Sequence, residues 1–126
     1  MIFVTFDMDE GKRSASLKVK GHAGAGPYGH DLICASVSTV VTGLAQEIKN
    51  MKAKGGMFKY EPRVKVNKGD FSAYCRCTDE GYWEILRVFL VIQTQLQVVA
   101  FNYPDFVMIE RLLGDKEVPH GYDING

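Results

Sequence analysis

Residues 14–38 read SASLKVKGHAGAGPYGHDLICASVS, and the change of rhythm inside them decides the fold. From Ser14 to Lys20 the residues alternate. Ala15, Leu17 and Val19 point one way, and Ser16, Lys18 and Lys20 the other, which is the period-two pattern of a half-buried strand. Gly21 to His30 then hold four glycines and Pro27, too many for regular structure. Beyond them the apolar residues Ile33, Val37, Val40, Val41, Leu44, Ile48 and Met51 recur at spacings of three and four, which predicts an amphipathic helix. Asp31 is placed to cap its start, accepting the free amide hydrogens of the first turn, and Gly55-Gly56 ends it.

The pattern extends outward in both directions. Met1 to Phe6 are β-branched and aromatic and predict a strand, paired with Ser14–Lys20 as a hairpin across DMDEGKR. Downstream, Phe58, Tyr60, Val64 and Val66 alternate with Lys59, Glu61, Arg63 and Lys65. After a turn at NKGD, Phe71, Ala73, Cys75 and Cys77 alternate with Ser72, Tyr74, Arg76 and Thr78, completing a second hairpin. Asp79 is expected to cap a second helix from about Gly81 to Phe101, stopped by Pro104, and DFVMIER reads as a short last strand. The order ββαββαβ, with one apolar face on each middle strand, predicts an α+β, two-layer fold: a mostly antiparallel sheet with two helices packed on one face. Residues 1–111 form the expected domain, and 112–126 a polar C-terminal extension that is poorly fixed.

A chain of 126 residues, 46% of them apolar, suits one domain with its own core. The formal net charge is zero, so no direct nucleic-acid partner is expected, since such binders usually carry a basic excess. Positive charge gathers only locally, at Lys49, Lys52, Lys54, Lys59, Arg63, Lys65 and Lys68. Three cysteines, an odd number, and an N-terminus that does not read as a targeting segment suit a reducing cytoplasm. Glu84, Arg87, Gln93, Gln95 and Gln97 break the apolar run from Trp83 to Phe101, so no membrane span is expected. That helix carries two apolar stripes. Ile85, Phe89, Ile92, Leu96 and Val99 suit burial against the sheet, and Val88, Val91 and Val98 suit self-association as a homodimer.

Chemistry concentrates at the strand-to-helix junction. Cys34 lies three residues past the expected cap, where helix-end amides favour negative charge. A free thiol with a pKa of about 8.5 is lowered at such a place, or beside a protonated histidine. At roughly 100° per residue, Cys34 falls one step round from Ile33, at the edge of the apolar face, where it can look into a cleft. His22 or His30 could act as general base and then as acid to a leaving amine; His22 is favoured, because it ends a strand that must lie beside the helix start. Cys75 and Cys77 share a strand face with Phe71 and Ala73 and read as inert core, and their C-x-C spacing has no second ligand pair nearby in sequence, so no metal or cofactor is expected. His120 has no evident partner.

The pattern G-H, eight residues, D, two residues, C-A, two residues, S resembles the Prp family of bacterial ribosomal-processing cysteine proteases, as do the element order to about Arg111 and the segment YPDFV after the second helix. The resemblance implies a Cys–His peptidase with His22 and Cys34 as the catalytic pair and Asp31 as the family's aspartate. It implies removal of the short N-terminal extension of large ribosomal subunit protein twenty-seven, cut after a paired-aromatic segment, by a homodimer with a mobile loop over the site at Ala23 to His30. The amides of Cys34 or Ala35 could hold the oxyanion. Gly21 and Gly29 give the loop its freedom, Ser38 could line the site, and Asp31 either caps the helix or orients His22. The alternatives are a non-catalytic ribosome-associated binding module using the basic cluster, and a thiol redox sensor centred on Cys34.

Overall fold

In the computed structural model, which describes residues 1–22 and 28–115 (backbone alone for 28–31), the first hairpin pairs as its alternation predicts. Strand β1 (Ile2–Asp9) runs antiparallel to β2 (Ser14–Gly21), with Val4 opposite Val19 and Phe6 opposite Leu17. After helix α1 (Tyr28–Lys54), β3 (Arg63–Asn67) and β4 (Asp70–Arg76) form the second hairpin. Helix α2 (Asp79–Asn102) and β5 (Val107–Arg111) complete the domain. The five strands lie in the order β3-β4-β2-β1-β5, antiparallel throughout except that β5 joins β1 in parallel.

One face of this sheet builds the core. Ile2, Val4, Phe6, Leu17, Val19, Phe71, Ala73 and Cys75 turn inward, and both helices cover them. Helix α1 contributes Ile33, Val37, Val41, Leu44, Ile48 and Met51, and α2 contributes Tyr82, Ile85, Phe89, Ile92 and Leu96. Each such Ile, Leu or Phe stabilises the fold by about 1.5–3 kcal/mol relative to leaving it exposed. Phe6 and Phe89 meet edge to face across the two layers, their ring centroids 6.5 Å apart. The architecture is therefore the α+β, two-layer arrangement expected from the sequence.

Several boundaries differ from the sequence reading. Helix α1 starts at Tyr28, so Gly29 and Asp31 lie inside it and Asp31 is not its cap. A glycine within a helix costs only about 1 kcal/mol, which 27 residues of cooperative helix with a buried stripe outweigh. The cap of α2 is Thr78, not Asp79: its hydroxyl accepts from the Gly81 amide at 3.1 Å and donates to the Gly56 carbonyl at 2.7 Å. Asp79 instead pairs with Arg13 at 3.0 Å on the surface. Strand β3 begins only after Pro62, which has no amide hydrogen to give a ladder, and Phe58 makes a single bridge to Cys77. Val64 and Val66 on this edge strand are exposed.

By length and composition α2 could cross a bilayer, but in this fold its inner face is packed on the sheet. Its outer side leaves Trp83, Leu90, Val91, Val98 and Phe101 exposed. The chain stays attached beyond β5: the Leu113 amide donates to Gln93 Oε1 at 2.6 Å, and Asp115 accepts from the Leu112 amide at 2.9 Å. Within the expected extension, residues 112–115 carry these hydrogen bonds, and 116–126 lie outside the described residues.

Candidate active site

Three pieces of chain meet at one end of the sheet. The end of β2 supplies Gly21 and His22, successive turns of α1 supply Cys34, Ala35 and Ser38, and the β3–β4 turn supplies Asn67, Lys68 and Gly69. They surround a cleft of about 280 Å³. Its lining is largely apolar, with Ile2, Val19, Val37, Val41 and Phe71 from the core and Val66 from the exposed edge strand. His22 and Cys34, proposed from sequence as a pair, line this same cleft.

The local reasons are legible. Ile33 and Val37 point into the core at 1% and 4% exposure, while Ala35 and Ser38 are exposed. Cys34 falls between these two sets and is half-buried, its sulfur at the margin of the helix stripe. At the other side of the cleft β2 ends at Gly21 with φ +107°, a backbone angle that side chains rarely adopt. A Cβ there would lie 3.3 Å from the Met1 carbonyl carbon and nearer still to its oxygen. The chain turns on this residue, and the His22 carbonyl accepts from the Met1 amine at 2.6 Å. The Gly21 amide donates to the Gly69 carbonyl at 3.0 Å, which ties the histidine's strand to the β3–β4 turn.

The early start of α1 corrects two expectations. Cys34 is the seventh helical residue rather than part of the first turn. The field of a helix end falls off within that first turn, so Cys34 sits beyond its strongest reach. Only the first four amides of a helix lack partners within it, so those of Cys34 and Ala35 belong to the helical ladder and are not free for an oxyanion. Asp31 and Gly29 follow the helix backbone, and the side chains of Asp31 and His30 lie outside what the structure describes, as do Ala23 to Pro27 of the expected loop.

Cys75, in β4, and Cys77, just before the Thr78 cap of α2, lie elsewhere in the core at 0% and 2% exposure. Burial pushes the Cys75 thiol from 9.0 up to about 12, with the neighbouring Cys77 adding to it, and pushes Cys77 up to about 11. Among the described residues no three His, Cys, Asp or Glu side chains stand close enough together to hold a metal ion. The basic cluster seen in sequence is dispersed over α1, β3 and two loops, with Lys52 paired to Glu61 and Lys65 to Asp70. The hydrogen bond from Lys65 holds the Asp70 carboxyl below its usual value.

What the sequence reading missed is the β3–β4 wall of the cleft. The turn NKGD was visible, but its neighbourhood to His22 arises from β4 pairing with β2, Lys20 opposite Asp70. That pairing is non-local, and alternation within either strand carries no trace of it.

The family model of the cysteine protease Prp matches residues 1–108. The ribosomal processing cysteine protease Prp of Staphylococcus aureus is 25% identical over 109 residues, 86% of this chain and 97% of that protein. The crystal structure of an essential ribosomal processing protease Prp from S. aureus in complex with a substrate peptide superposes with a TM-score of 0.65 at 22% identity, covering 89% of this chain and 100% of the other. The same S. aureus protease with a covalently linked product peptide gives a TM-score of 0.64 at 23% identity, over 89% and 100% of the two chains.

Proposed function

This chain belongs to the cysteine protease Prp family, and on that premise we propose that it is an endopeptidase whose nucleophile is Cys34 and whose acid–base group is His22, acting on the N-terminal extension of large ribosomal subunit protein twenty-seven. The observation that carries the reading is that both side chains line one cleft with a largely apolar lining. Ile2, Val19, Val37, Val41, Val66 and Phe71 suit large apolar substrate side chains, such as the paired aromatics expected before the cut.

The chemistry follows from the pair. The imidazole of His22 takes the Sγ proton, and the thiolate adds to the scissile carbonyl. As the tetrahedral adduct collapses, the C–N bond breaks and the imidazolium gives its proton to the leaving amine. Water then attacks the thioester with His22 as base, releasing the carboxylate and restoring the thiol.

Incubation with a ribosomal precursor peptide carrying the extension, followed by mass spectrometry, tests this. The expected product is the shortened peptide, and Cys34→Ala and His22→Ala enzymes are expected to yield none. Cleavage by either variant at the wild-type rate removes the mechanism.

We also propose that two copies associate through the outer face of α2, where Trp83, Leu90, Val91, Val98 and Phe101 form an exposed apolar stripe. Gel filtration is expected to show a dimer that Val91→Glu converts to monomer, and a wild-type monomer at micromolar concentration refutes it. Three free thiols support a reducing, cytoplasmic setting, which cell fractionation tests.

A further inference from the structure

The β3–β4 turn does more than wall the cleft. Asn67 pairs with Asp70, leaving Lys68 and Gly69 as a two-residue turn, and Gly69 takes φ +73°. The imidazole of His22 lies directly against this glycine. A Cβ at position 69 would stand 2.6 Å from His22 Nε2 and 3.3 Å from Nδ1, with Cε1 closer than either. These three atoms are the edge of the ring that carries both nitrogens. Carbon and nitrogen atoms do not approach so closely without a bond, so any side chain there must drive that edge away.

We propose that Gly69 is a positioning residue for the reaction: its bare Cα is the seat on which the nitrogen-bearing edge of His22 rests inside the cleft. The inference rests on the reading of His22 as the acid–base group. Two features of the fold hold the seat in place. The Gly69 carbonyl accepts from the Gly21 amide at 3.0 Å, next in sequence to the histidine. The flanking register sets Lys20 opposite Asp70 and Val19 opposite Phe71, so ring and turn are fixed by the same β2–β4 ladder. His22 itself is solvent-exposed, so a fixed surface beside its ring helps to set its rotamer. A side-chain-free turn leaves the space that this edge of the ring occupies.

A positive φ alone would also select glycine, so the test must separate the two demands. Asparagine tolerates this backbone region but brings a Cβ. Gly56 serves as the control: its φ is +77°, and a Cβ there meets nothing within 4 Å. Gly69→Asn is expected to cut kcat by about tenfold or more with KM within about twofold, because misplacing a catalytic group costs rate rather than binding. Gly56→Asn is expected to keep both constants while lowering the melting temperature by a similar amount. In a double-mutant cycle read by the rate of Cys34 alkylation with iodoacetamide, Gly69→Asn is expected to slow alkylation in the wild type and to add nothing in His22→Ala. A merely structural glycine would cost the same factor in both backgrounds.

The unmodified protein gives an independent reading by NMR: a through-space contact between the His22 ring Hε1 and the Gly69 α-protons. Its absence overturns the proposal even if Gly69→Asn fails to fold. Gly69→Asn as active as wild type, beside an inactive His22→Ala, overturns the seat and leaves the Cys–His reading standing. His22→Ala as active as wild type overturns the Cys–His reading, and with it any part for Gly69 in the reaction.

Discussion

Cys34 and Cys75 are both thiols packed against the same core, and their surroundings could hardly differ more. Cys34 sits at the margin of a helix stripe, half-buried, on the wall of a cleft that also holds an imidazole. Cys75 lies on the covered face of β4 between Ala73 and Cys77, wholly out of water, where burial and the neighbouring Cys77 disfavour its ionised form. Angular position explains the contrast. A strand residue on the covered face has nowhere to go but inward, whereas a helix offers a graded circumference on which one step of roughly 100° moves a side chain from core to margin. Reactivity in a small domain can thus be assigned by geometry before any electrostatics is considered.

The largest effect expected from this contrast is on cleavage of the precursor peptide. Cys34→Ala is expected to lower kcat by about 10⁴-fold or more, as loss of a covalent nucleophile does. Cys75→Ala is expected to cost stability and leave kcat within a few-fold per folded molecule. A Cys75→Ala enzyme that folds but does not cleave would break the distinction.

Native labelling comes next. Iodoacetamide at neutral pH is expected to modify Cys34 at least about 100-fold faster than Cys75 or Cys77, which should react only after unfolding. Peptide mapping of the alkylated protein reads the ratio, and equal labelling of the three would contradict the burial of the pair.

Alkaline stability sharpens the contrast further. The Cys75 pKa is raised on folding from 9.0 to about 12, so between these values the folded chain keeps a proton that the unfolded chain has lost. Stability is therefore full below about pH 9 and falls as pH rises towards 12, with Cys77 acting in the same direction up to about 11. Urea midpoints from pH 8 to 11 are expected to decline, and to decline less steeply in Cys75→Ala. A slope unchanged by the substitution would contradict the burial.

The smallest expected effect concerns the helix start next to Cys77. Thr78→Ala removes the cap of α2 directly after Cys77 and is expected to cost about 1 kcal/mol. Cys77 labelling should then rise by about fivefold, following the opening equilibrium, with Cys34 labelling unchanged. Parallel acceleration at both thiols would point to global unfolding instead.

The alternation of Ala15, Leu17 and Val19 and the helical spacing from Ile33 to Met51 are local signals, and they were enough for the layers and the element order. The marginal position of Cys34 was also legible, since it depends only on its offset from Ile33 and Val37. Ends were harder. The start of α1 was misjudged because Gly29 and Pro27 argue for loop, while the long packed helix behind them outweighs a local preference. Thr78 and Asp79 are adjacent good caps, and the choice went to the hydroxyl that could both accept from Gly81 and donate to Gly56. The contact of Gly69 with His22 was out of reach, because it depends on which strands become neighbours across 47 positions of chain.

The parallel pairing of β5 with β1 sets Ile2 beside Val107, so among the described strands the earliest made borders the latest. Until the final strand is made, one margin of β1 keeps its backbone donors and acceptors unpaired, an invitation to adhere to other nascent chains. Vectorial synthesis therefore delays completion of the sheet, and chains arrested before Val107 should be cut by pulse proteolysis while the finished polypeptide resists. Completion of this sheet is thus timed by β5, the last of its described strands to be made.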